Sequence, residues 1–123
     1  MGNTRLYGIR GAVRCENDAI DMERRVAELY DALIVDNGIG EADVVSMIFS
    51  VTADLGAANP AAVLRKSGRA SSIALFAVAE APVEGGMERV IRALVHCYAD
   101  EASPPCHAYL NGAELLRPDR SVR

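Results

Sequence analysis

The sequence predicts an α+β fold, a mixed β-sheet of about five strands with one long and one short helix, and three observations predict it. One stretch carries apolar residues at sustained helical spacing. Several others are rich in β-branched residues without that spacing. An Asn-Gly pair late in the chain suits a tight turn between short strands.

The elements follow in order. Leu6 to Val13 reads as a first strand. The segment ENDAIDMERRVAELYDALIVDNG then places Met22, Val26, Leu29, Tyr30 and Leu33 on one stripe of an amphipathic helix. Asn17 or Asp18 caps its start, and Asn37-Gly38 supplies a left-handed stop. Asp43 to Thr52, DVVSMIFSVT, reads as a strand buried on both faces. Asn59-Pro60 is a cap followed by proline at the first helical position, opening a short helix that Gly68 ends. SSIALFAVA is a further strand and APVEGG a loop. MERVIRALVHCYAD is ambiguous, since Met87, Val90, Ile91, Leu94 and Val95 fit a helix while its β-branched content fits a strand. In HAYLNGAELL, two short alternating runs flank Asn111-Gly112, the pair suited to a type I′ hairpin.

A chain of 123 residues, half of them apolar, suits a single domain spanning 1–123. Its net charge of −4 repels phosphate backbones and anionic lipid surfaces, so neither nucleic acid nor a membrane is an expected partner. No apolar run reaches the length of a membrane span, and the basic-then-apolar pattern of a signal peptide is missing at the N-terminus. Three cysteines, Cys15, Cys97 and Cys106, argue against a disulfide framework and fit a reducing compartment; the cytoplasm is the expectation. His96-Cys97 and Cys106-His107 can be drawn as four zinc ligands, but no Cys-x-x-Cys spacing supports a metal site, and none is expected.

Twelve arginines stand beside one lysine. Most fit a scatter over the surface. Arg10 and Arg92 do not, because they interrupt apolar segments, and neither do Arg65 after Val63-Leu64 or Arg117 after Leu115-Leu116. A guanidinium among buried neighbours needs an acceptor, since a lone buried charge costs several kcal/mol, roughly speaking. An internal ion pair is the plain solution, yet Glu80 is the only acidic residue in the nearby apolar elements. The surplus positive charge points to an anionic ligand that brings its own carboxylates, which arginine grips with paired hydrogen bonds.

The order YGIRGA, then DVV-x-MIFSVT-x-DL, NPAAVLR, an isolated Glu before PV-x-GG, VIR, H-x-YL and LLRPD resembles the monofunctional trimeric (AroH-type) bacterial chorismate mutases from about Tyr7 to Asp119. The resemblance implies a pseudo-α/β-barrel homotrimer with active sites at subunit interfaces, and it makes the ambiguous segment a strand. It implies a cofactor-free rearrangement of chorismate to prephenate. Arg92 is then the cation at the breaking ether oxygen, and Glu80 the carboxylate that holds the substrate hydroxyl. Arg10 and Tyr109 contact a substrate carboxylate. Arg65 lies near the site mouth, with Arg117 and Leu116 in the segment that closes over it, and main-chain groups near Phe76 and Ala77 serve the substrate hydroxyl.

Asn59, Ala62 and the Phe76-Ala77 pair depart from the family pattern, and Ala77 offers no side-chain donor. Two alternatives therefore stay open: a trimer that binds an anionic metabolite without turning it over, and an enzyme acting on a chorismate analogue or by elimination.

Overall fold

The computed structural model describes residues 3–116. Its elements run β1 (Thr4–Arg14), α1 (Ala19–Tyr30), a π-helical turn (Asp31–Val35), β2 (Val44–Val51), α2 (Pro60–Lys66), β3 (Ala74–Ala79), β4 (Val90–Asp100), β5 (Ala108–Leu110) and a closing 3-10 turn (Ala113–Leu116). Among the described residues the strands form one sheet in the order β3-β2-β4-β1-β5. β4 runs antiparallel to both β1 and β2, whereas β3 is parallel to β2 and β5 parallel to β1, so the sheet is mixed as expected.

The ambiguous segment is a strand, the central one. Its helical spacing loses to tertiary pairing: all eleven residues of β4 are matched against β1, and most of them against β2 on the other side.

Both helices cover one face of this sheet. Met22, Val26, Leu29 and Leu33 from the first helical segment and Leu64 from α2 pack on Ile9, Val13, Met47, Phe49, Ile91, Ala93, Val95 and Cys97, alternate residues of three strands. Asp18 is the N-cap of α1, its carboxylate accepting from the Asp21 N–H at 2.9 Å. Asn17 instead accepts from the Ala57 N–H. Past Tyr30 the helix widens into the π turn and buries Ala32, Leu33 and Ile34 in succession; Gly38, at φ 69°, ends the run. Asn59 caps α2 by accepting from the N–H groups of Ala61 and Ala62, with Pro60 in the first turn.

Two expectations need correction. Within the single chain β2 is buried on one face only. Met47 and Phe49 point into the core, while Ser46, Ile48 and Ser50 look out from the face no helix covers. The Asn111-Gly112 turn does not close a hairpin. Both residues have positive φ, 50° and 95°, as a type I′ turn requires, but β5 before them pairs in parallel with β1 and AELL after them coils into the 3-10 turn. Local bonds explain this: the Asn111 side-chain amide donates to the Arg14 carbonyl, and the Glu114 carboxylate accepts from the Gly112 N–H.

Gly11 sets how closely β5 and α1 approach. A Cβ there would lie 2.7 Å from the Ala108 carbonyl oxygen, 2.9 Å from a Leu29 methyl and 3.0 Å from a Leu33 methyl.

Candidate active site

The uncovered sheet face carries the side chains that alternate with the core. The register puts Ser50, Arg92 and Ala12 in one row across β2, β4 and β1, with Tyr109 of β5 beside Ala12. The next row holds Phe76, Ile48, Leu94 and Arg10. Arg10 is thus the diagonal neighbour of Arg92 across a strand pair, a spacing of roughly 7 Å between Cβ atoms.

Two clefts meet at Arg92. The larger, about 890 Å³, is lined by Arg14, Asp54, Glu80, Met87, Arg92 and Leu116 together with the loop around Pro82 to Gly86. The smaller, about 280 Å³, is lined by Arg10, Gly11, Ile48, Ser50, Arg92, Ala93, Leu94 and Tyr109. Size favours the first and charge the second, because Asp54, Glu80 and Glu88 face the large cleft whereas two guanidinium groups and no carboxylate line the small one. Electrostatics therefore favours an anion in the small cleft.

Glu80 follows β3 immediately, where its main-chain N–H donates to the Val51 carbonyl. Both of its carboxylate oxygens are engaged: the Ser50 hydroxyl donates to Oε1 at 2.7 Å, and Arg92 Nε donates to Oε2 at 2.7 Å. The plain expectation of an internal ion pair is therefore met at Arg92. The pair is only half-closed, however, with the Arg92 side chain 40% exposed and Glu80 17% exposed. Ion pairs in contact with water contribute about 1 kcal/mol or less, so an anion can compete for the cation. Glu80 occupies Nε alone, and no described residue bonds the two terminal nitrogens of Arg92.

Arg10 forms no ion pair with any described residue; it is exposed and lines the small cleft. Tyr109 is buried in a small second core with Ala12, Val90 and Ala113, flanked by Met87 and Leu116. That packing fixes the ring beside Arg10 and Arg92, and it puts Leu116 at the edge of the large cleft.

The other expected site residues lie elsewhere. Arg65 donates to the carbonyl oxygens of Ala70, Ser71 and Ile73 and so staples the turn into β3. Phe76 is 66% exposed on the uncovered face of β3, and Ala77 turns toward the core. β3 is the sheet edge farthest from β5, so these residues and Tyr109 stand at opposite sides of the sheet. Arg117 lies outside the described residues.

Arg14 and Ser50 are among the lining residues that were not foreseen. Arg14 shares the outward parity of Arg10 on β1, a signal available in the sequence. Ser50 carries no such signal, because only the cross-strand register sets it opposite Arg92. The zinc drawing comes apart: His96 bonds Ser46 on the uncovered face, while Cys97 turns into the core.

The arrangement can grip an anion through Arg10 and Tyr109 and hold a cation against a second oxygen through Arg92. Comparison with known proteins gives the family. A family model described as chorismate mutase type I matches residues 6–120. The chain is 32% identical over 119 residues to chorismate mutase AroH of Bacillus subtilis (strain 168), covering 95% of this chain and 94% of that one. It is 36% identical over 117 residues to chorismate mutase AroH of Thermus thermophilus, covering 93% and 95%. It is also similar to the solved structure of a chorismate mutase from Clostridium thermocellum, with a TM-score of 0.81 and 37% identity over 89% of this chain and 98% of that one.

Proposed function

The chain belongs to the chorismate mutase type I family, and from that membership we propose how its clefts turn chorismate into prephenate. The enzyme is an isomerase, and its reaction is a concerted rearrangement. A carbon–oxygen bond breaks as a carbon–carbon bond forms, with no net proton transfer and no covalent intermediate, and no cofactor is assigned to the reaction. The protein has two tasks. It holds the flexible dianion in its compact, reactive shape, and it stabilises the negative charge that gathers on the ether oxygen.

Arg10 and Tyr109 perform the first task by holding a carboxylate in the basic small cleft, which removes rotational freedom before the chemical step. Arg92 performs the second. Its terminal nitrogens are the donors toward the ether oxygen, and because the charge there is larger in the transition state than in the substrate, the interaction lowers the barrier. Glu80 orients Arg92 through Nε and accepts from the substrate hydroxyl. Leu116 borders the large cleft. The single observation that carries this reading is the half-exposed Arg92, held by Glu80 through one nitrogen and otherwise unbonded among the described residues, in a cleft shared with Arg10 and Tyr109.

Residues 1–123 are proposed as one catalytic domain that works as a homotrimer. Phe76, Ile48 and Leu94 leave an apolar row on the uncovered sheet face. Among the described residues β3 is an edge strand, so half of its main-chain polar groups have no ladder partner there. A neighbouring copy that brings its β3 edge and Arg65 to the clefts covers that row and completes the pocket, with main-chain groups at Phe76 and Ala77 serving where Ala77 has no donor. The three free cysteines fit the cytoplasm as the working compartment.

The test is to follow chorismate with the purified protein and identify the product by NMR. Prephenate supports the reading. Pyruvate release marks an eliminating enzyme, and binding without turnover marks a metabolite-binding trimer; either result overturns it.

A further inference from the structure

His107 opens the H-x-YL motif, yet the catalytic reading gives its side chain no task. Its imidazole Nδ1 accepts the main-chain N–H of Arg10 at 2.9 Å. The parallel ladder between β1 and β5 is short, pairing only Gly11, Ala12 and Val13 with Ala108, Tyr109 and Leu110. Arg10 lies one residue outside it. Its N–H, directed to the β5 side, has no strand carbonyl to meet there, and the His107 ring supplies the acceptor.

Consecutive residues ahead of Tyr109 are each tied down. Cys106 is held from both sides by the Asn37 amide, which donates to its carbonyl at 3.0 Å and accepts from its N–H at 2.9 Å. His107 is held by Arg10. The Ala108 carbonyl presses against Gly11, where no Cβ would fit. Tyr109 comes next. The His107 bond is the one member of this set that joins the backbone of Arg10 directly to the approach to Tyr109.

We infer that His107 is a positioning residue for substrate capture: it fixes the backbone of Arg10 relative to Tyr109, so that both groups reach the same carboxylate. This rests on the reading of Arg10 as a carboxylate-binding residue. An acceptor at Nδ1 leaves the ring proton of the neutral form on Nε2. The imidazole acts through Arg10 and does not touch the reacting atoms, so its loss shows in KM and leaves kcat nearly unchanged.

Steady-state kinetics on folded protein tests this with four variants. His107→Leu removes the acceptor and is expected to raise KM about three- to tenfold, the effect of one neutral hydrogen bond, with kcat within about twofold. His107→Asn carries an amide oxygen near the Nδ1 position and is expected to bring KM back to within about twofold of the parent. If His107→Leu fails to fold, His107→Gln replaces it, because its longer side chain cannot place the acceptor there. Arg10→Ala distinguishes the two levels of the argument. If Arg10→Ala raises KM while the Leu or Gln variant matches the parent, or Asn gives no rescue, the positioning role of His107 is wrong and the reading of Arg10 survives. If Arg10→Ala leaves KM unchanged, the reading of Arg10 fails and this inference falls with it.

Discussion

Arg92 and Glu80 meet through one nitrogen and one oxygen, Nε to Oε2 at 2.7 Å, on the sheet face that no described helix covers. A guanidinium held at its inner nitrogen is restricted in orientation, and among the described residues nothing bonds its two outer nitrogens. The carboxylate thus aims the cation without saturating it.

Arg92→Ala is expected to lower kcat by about 10²- to 10³-fold, the scale of losing one preorganised donor. Arg92→Lys keeps the charge but not the planar fork, and it should recover only part of that loss. Rates near the parent for Arg92→Ala, in protein with unchanged circular dichroism, would remove the electrostatic mechanism.

Ser50 holds the other oxygen of Glu80 at 2.7 Å. Ser50→Ala should cost about tenfold in kcat/KM, in line with a hydrogen bond to a charged group, while thermal stability changes little. Equal kcat/KM for the two proteins would show that Arg92 alone is enough to orient Glu80.

Gly11→Ala forces a Cβ against the Ala108 carbonyl and two leucine methyls at 3.0 Å or less. Urea unfolding should show a loss of about 1–3 kcal/mol, the range for overpacking. Gly8→Ala on the same strand is the control, since its new Cβ would meet only a Leu94 methyl at 3.8 Å.

The three thiols should differ in reactivity. Burial first, and then the charges of Asp21 and Glu16, push the Cys15 thiol up to about 11. Burial likewise raises Cys97, whereas Cys106 is exposed. At pH 8 a thiol reagent should titrate one group fast, lost in Cys106→Ser. The raised Cys15 value favours the folded state fully below the ordinary cysteine value of 9.0, and that contribution falls away as pH climbs toward 11. Stability of the parent should therefore decline above about pH 9 more steeply than that of Cys15→Ala. Parallel declines would contradict the assignment.

The proposed homotrimer, with each pocket shared between two chains, makes a complementation prediction. Arg92→Ala and Arg65→Ala chains, each weakly active alone, should regain activity when refolded together, because a mixed trimer contains sites with Arg92 from one copy and Arg65 from the next. At equal mixing about a quarter of sites are intact. No recovery, with mixed trimers verified by mass spectrometry, would place each site within one chain.

Much of this protein was legible in the sequence where the signal is local. The caps at Asp18 and Asn59 and the stop at Gly38 follow from side-chain and backbone chemistry within a few residues. The apolar stripe Met22-Val26-Leu29-Leu33 follows from helical period, and the misfit of Arg10 and Arg92 in apolar strands from the cost of burying charge. Those arginines, with the order of the surrounding motifs, were enough to identify the family and its reaction.

What the tertiary structure decided depends on which strands become neighbours. The segment 87–100 could satisfy its apolar residues as helix or strand, and pairing along both edges selected the strand. Asn111-Gly112 kept its turn geometry but lost its hairpin, because β5 found β1 and not the residues that follow it. Ser50 beside Glu80, and His107 beneath Arg10, came from contacts between residues 30 and 97 positions apart. Sequence period tells which face a side chain takes; only the closed register of a sheet tells what stands opposite it, because that choice minimises unpaired main-chain groups over the whole fold at once.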